Sequence, residues 1–78
     1  MGTDRYTYEL SEFGKKIRHY RKRNNLTQVD LELKTGINNG DISRIESGQK
    51  NIEFYTIVKL AEALDVEIID LFKKDKKL

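Results

Sequence analysis

Neither cysteine nor proline occurs anywhere in the 78 residues, and the missing cysteine is the tighter constraint on folding. A chain of this length without disulfides or a thiolate-held metal depends on one efficient hydrophobic core. The missing proline leaves few obstacles to helix, so that core is expected to be helical. The length points to a single domain, with no embedded domain for sensing a ligand and no small-molecule ligand or cofactor expected. No apolar run approaches the ~20 residues that span a bilayer, and no signal-peptide pattern opens the chain. The expected setting is cytoplasmic, with no membrane partner.

A net charge of +2 conceals an uneven distribution. Residues 1–25 carry seven Lys/Arg against three Asp/Glu, residues 26–72 four against nine, and residues 73–78 four against one. Basic ends around an acidic middle fit an electrostatic footprint for a polyanion. They also fit solvated helix faces with charged ends, so charge alone does not choose.

Residues 1–7 lack apolar periodicity and read as a flexible arm, with Tyr6 and Tyr8 able to pack back. A folded domain is expected over residues 8–72. From Leu10 the spacing is helical, with Leu10, Phe13, Ile17 and Tyr20 on one side, and Asn24-Asn25 ends that helix. Thr27 is a good N-cap for a second helix, with Asp30 in its first turn. Gly36 stops that helix in the left-handed manner. After the loop SGQKN, Phe54, Ile57, Val58, Leu60, Ala61 and Leu64 mark a fourth helix. Asp65 breaks it, and Val66 to Phe72 reads as a short fifth. KKDKKL, residues 73–78, reads as a basic, disordered tail.

Residues 37–48, INNGDISRIESG, admit two readings. Asn39-Gly40 is a favoured hairpin turn, but Ile42 and Ile45 are out of phase for a strand and no alternating run precedes the turn. A helix accounts for more residues. Asn38 caps it, Asp41 sits in the favourable first turn, Ile42 and Ile45 face inward, and Ser47-Gly48 closes it. Gly40 inside a helix costs about 1 kcal/mol relative to alanine, so a missing side chain must be useful there. The fold class expected is all-α, with five short helices.

Two short helices around a glycine turn form the DNA-binding helix-turn-helix, whose second helix lies in the major groove. With Ile42 and Ile45 inward, a 100° spacing leaves Gly40, Ser43, Arg44 and Ser47 outward, with Asn39 beside them. These groups are small or hydrogen-bonding, suited to approach base edges, and Arg44 can bind guanine bidentately. Gly40 allows close approach to DNA.

At this point the sequence resembles the lambda-repressor-like (XRE/Cro-type) helix-turn-helix family. The resemblance covers residues 10–72 and rests on LTQVDL, TGINNGDISRIESGQKN and TIVKLAEALDVEIIDLF. It implies a compact five-helix domain that binds double-stranded DNA. It implies that Asn39, Gly40, Ser43 and Arg44 read bases, and that Thr27 and Gln28 hold a phosphate with helix-terminal amides. Ser47, Lys50 and Asn51 would hold the backbone beyond the third helix. Arg21 and Glu46 match a pair that ties the third helix to the first. Arg21 follows Ile17 by four residues, so partial burial of that pair is expected.

Three residues depart from the family pattern. Glu32 stands where alanine is usual at a tight helix crossing, so it must bend outward or pair with a cation. Gly40 removes a side chain that relatives use on bases. Asp41 would be repelled by phosphate unless it caps the helix, the preferred reading, or accepts from cytosine. Other chemistry is poorly supported. The single histidine, His19, has no ligand set or acid–base partner, and Tyr20, Phe54 and Phe72 read as core. An enzyme and a metal site are not expected.

The function expected is a sequence-specific transcription regulator, such as a restriction–modification controller or phage-type repressor, acting as a homodimer on a (pseudo)palindromic operator. Tyr55 and Ile69, apolar where the family is usually polar, would form the dimer interface. The alternatives are an antitoxin or protein-interaction module that also binds a partner protein, and a nonspecific architectural DNA-binding protein.

Overall fold

The computed structural model describes residues 4–74, which form four α-helices and one 3-10 turn. The helices are α1 (Arg5–Arg23), α2 (Gln28–Thr35), α3 (Asn39–Glu46) and α4 (Phe54–Leu64). The 3-10 turn spans Ile68–Leu71. No strand occurs among the described residues, and Asn39-Gly40 is the first turn of α3.

Local chemistry sets most boundaries. The α1 helix begins at Arg5, so residues 5–7 are helical and not part of an arm. The Asp4 carboxylate accepts from the Thr7 amide at 2.8 Å, and that cap starts the helix ahead of its apolar stripe. In α2, Thr27 and Asp30 form a reciprocal capping box, and Gly36 ends the helix with φ of 78°. The expected fifth helix contracts to one 3-10 turn. Its Asp70 carboxylate accepts from the Glu67 amide at 3.0 Å, and four residues close one turn only.

The core joins Phe13 and Ile17 of α1, Leu31 of α2, and Ile42 and Ile45 of α3. Leu60, Ala61 and Leu64 of α4 and Leu71 of the 3-10 turn complete it. Burying each large aliphatic group contributes about 1.5–3 kcal/mol. Two expected core aromatics lie outside. Phe54, 67% exposed, is the first residue of α4, one turn ahead of the stripe that starts at Ile57. Phe72 is half exposed and lays its ring 5.2 Å from that of Phe13. Tyr20 packs against the core.

The first two tail residues are anchored. Lys73 pairs with Asp70, and Lys74 reaches back to Glu9 at 3.1 Å with its ammonium over the Tyr8 ring. The rest of the expected tail, residues 75–78, and residues 1–3 of the arm lie outside the described residues.

Candidate nucleic-acid interface

The site is built on the turn between α2 and α3. The Gly36 amide donates to the Glu32 carbonyl at 2.7 Å, closing α2. The buried Thr35 hydroxyl donates to the Leu31 carbonyl and accepts from the Ile37 amide. Two residues later the Asn38 side chain accepts from the Gly40 amide at 2.7 Å and starts α3. A left-handed glycine between two side-chain-capped ends gives the chain a defined corner.

Close packing then fixes α3 against α1. A Cβ at Gly14 would meet the carbonyl oxygens of Ile45 and Glu46, the latter at 2.6 Å. The missing side chain lets the last turn of α3 rest directly on the α1 backbone. A buried charge pair sits nearby. Arg21 donates to Glu46 through Nε at 2.6 Å and Nη2 at 3.0 Å, and through Nη1 to the Leu26 carbonyl. The hydrogen bonds to Glu46 hold the guanidinium pKa above its ordinary range, against the opposing effect of burial. Gln28 completes the network, donating from Nε2 to Glu46 at 3.1 Å. The side chain that the family resemblance assigns to phosphate is thus tied to the joint between the helices.

With its inner face so held, α3 turns Asn39, Ser43, Arg44 and Ser47 to solvent, with Gly40 half-buried among them. The Ser47 hydroxyl donates back to the carbonyls of Ser43 and Arg44. Lys50 and Asn51 follow in the loop, where Asn51 accepts from the Ile52 amide. Thr27 and Gln28 lie at the N-terminus of α2, beside Asn39. They line one shallow depression with Lys22 and Asn25. These last two were missed from sequence. Lys22 reads as one more cation on a basic helix. Asn25, whose backbone is left-handed with φ of 60°, lies in the tight turn that follows α1.

The three departures each have a local structural setting. Glu32 pairs with no cation among the described residues; its carboxylate accepts from the Asn39 side-chain amide at 2.7 Å and its backbone amide at 3.3 Å. That acceptor suits the positive end of a helix. Asp41 is not the cap, because Asn38 fills that role; it pairs instead with Arg44. At Gly40 a Cβ would lie 2.9 Å from the capping Asn38 oxygen. The local cap is therefore one use of the missing side chain. Tyr55 and Ile69 are 68% and 65% exposed, apart from the α2–α3 unit in sequence. No cluster of metal-ligating groups occurs among the described residues. None of their helices is long and apolar enough to cross a membrane.

The helix-turn-helix family HTH_3 matches residues 17–71, which include α2, the glycine corner and α3. The chain belongs to that family. It is a family of DNA-binding transcription regulators, not a class of enzymes. The crystal structure of the restriction-modification controller protein C.AhdI from Aeromonas hydrophila superimposes with a TM-score of 0.81. The two share 35% identity, over 83% of this chain and 98% of that one. The uncharacterized HTH-type transcriptional regulator MJ0272 of Methanocaldococcus jannaschii is 37% identical over 57 residues, 73% of this chain and 86% of its own length. Antitoxin PezA of Streptococcus pneumoniae is 31% identical over 65 residues. Those cover 83% of this chain but only 41% of PezA, so this HTH_3 chain spans less than half of that relative.

Proposed function

We propose that this chain is a sequence-specific, double-stranded DNA-binding transcription regulator that acts as a homodimer on a (pseudo)palindromic operator. The observation that carries the reading is the outer face of α3. Asn39, Ser43 and Arg44 project from a helix whose inner face is fixed by Gly14, Ile42, Ile45 and the Arg21–Glu46 pair. Rigid presentation of hydrogen-bonding groups is what base-edge recognition in the major groove requires. Thr27, Gln28, Ser47, Lys50 and Asn51 flank that face and would grip phosphates, joined by Lys22 and Asn25.

The test separates reading from gripping. Arg44→Ala should weaken binding to a selected duplex and flatten preference at one base position per half-site, by ~1–3 kcal/mol per lost bidentate contact. Lys50→Ala should weaken selected and scrambled DNA alike and lower the salt dependence by about one counterion. Salt-titrated binding on both duplexes measures both. Equal losses on the two duplexes for Arg44→Ala would make Arg44 a phosphate clamp and displace the reading face.

The similarity to antitoxin PezA favours a second reading, in which the domain also engages a partner protein. Co-purification of a defined second chain, lost on changing exposed residues outside α3, would support it.

A further inference from the structure

Arg44 does not stand alone on the outer face of α3. Side chains on a helix lean toward its N-terminus, and Arg44 lies back over the first turn. There its Nη2 pairs with Oδ1 of Asp41, three residues earlier. The guanidinium passes over Gly40, where even a Cβ would meet its Nη1 only in ordinary contact, at 3.9 Å. The Asp41 side chain is about a third exposed and that of Arg44 about half, so the pair sits at the surface meant for DNA.

We propose that Asp41 is a positioning residue that sets the base specificity of Arg44. This rests on the reading that α3 lies in the major groove. An unrestrained arginine at the middle of a groove-facing helix can swing between phosphates and bases. The carboxylate holds one end of the guanidinium over the N-terminal turn, which reaches the base edges in this motif. Of five N–H donors one is engaged by Asp41, and those remaining suffice for the two acceptors of guanine. The negative charge also discourages a phosphate from taking the place of the base. Asp41 thus acts through Arg44.

The experiment starts from sequences selected by the wild-type protein from a random duplex pool. Arg44→Ala identifies the base pair that Arg44 reads. Binding of Asp41→Ala and the near-isosteric Asp41→Asn is then measured on duplexes carrying each of the four base pairs there. Discrimination at that position should fall by about three- to tenfold, while affinity for scrambled DNA stays level or rises. Preference at the other positions should be kept, a pattern that general loosening of α3 would not produce. In an Arg44→Ala background the Asp41 change should add no further loss of discrimination. Discrimination retained or sharpened in both Asp41 variants would overturn the proposal while leaving the groove reading intact. A wild-type protein without sequence preference would overturn both.

Discussion

The Arg21 guanidinium gives three hydrogen bonds where its side chain is 9% exposed, two to Glu46 and one to the Leu26 carbonyl. An exposed pair of this kind would contribute about 0–1 kcal/mol. Burial changes the cost of breaking it. Glu46→Ala would strand a guanidinium and leave the Gln28 amide without its acceptor, destabilising the fold by about 3–5 kcal/mol. Replacing both partners, as in Arg21→Met with Glu46→Leu, should recover much of that loss. Urea unfolding of the two variants checks the contrast. Gln28 supplies a further consequence: Glu46→Ala should weaken DNA binding even at low temperature, where the variant remains folded.

Between elements, the contact of α1 with α3 depends on a missing methyl group. Gly14→Ala would drive a Cβ into backbone carbonyls of α3, which cannot rotate away as a side chain would. The gain in helix propensity, about 1 kcal/mol, is outweighed, so the variant should melt lower and bind selected DNA more weakly. Gly14→Ser should do no better. Helix starts carry a pH dependence. Asp4, Asp30 and Asp70 are held below the ordinary carboxylate range, chiefly by backbone donors on Thr7, Thr27 and Glu67. A lowered native pKa gives stability that is complete above the unfolded value and lost as pH falls through the native one. Stability should therefore decline below about pH 4. Asp30→Asn keeps an acceptor oxygen without a titrating proton, so it should flatten that slope when urea midpoints are compared from about pH 5 to pH 2.

For the whole molecule, the open matter is how two copies would meet. Tyr55 and Ile69 are both about two-thirds exposed, as is Phe54 beside Tyr55. Apolar exposure of this kind suits an interface between like subunits. A two-fold arrangement through the 3-10 turn and the start of α4 would set the two α3 helices about 34 Å apart on one face of DNA. Sedimentation should show a dimer at micromolar concentration, and Ile69→Asp should yield a monomer with an unchanged melting profile at low concentration. A wild-type chain that stays monomeric at high micromolar concentration would remove the dimer from the proposal.

Short-range chemistry made much of this protein legible in its sequence. Thr27, Gly36 and Asn38 act within four residues of themselves, and the 3.6-residue stripe of Ile42 and Ile45 needs only a helix to express it. The Asp41–Arg44 contact spans only three residues and is equally local, though the sequence by itself favours a capping role for Asp41. Tertiary packing decided the rest. Nothing near Gly14 in sequence announces that Ile45 and Glu46 will rest upon it, and Glu32 meets Asn39 only because Gly36 folds α3 back across α2. Gln28 shows the same division: its place at the start of α2 follows from neighbours, but its bond to Glu46, eighteen residues away, exists only once the helices have packed. Local hydrogen bonds and periodicity are written along the chain, whereas a partner's identity across a helix crossing depends on distances that the fold alone sets.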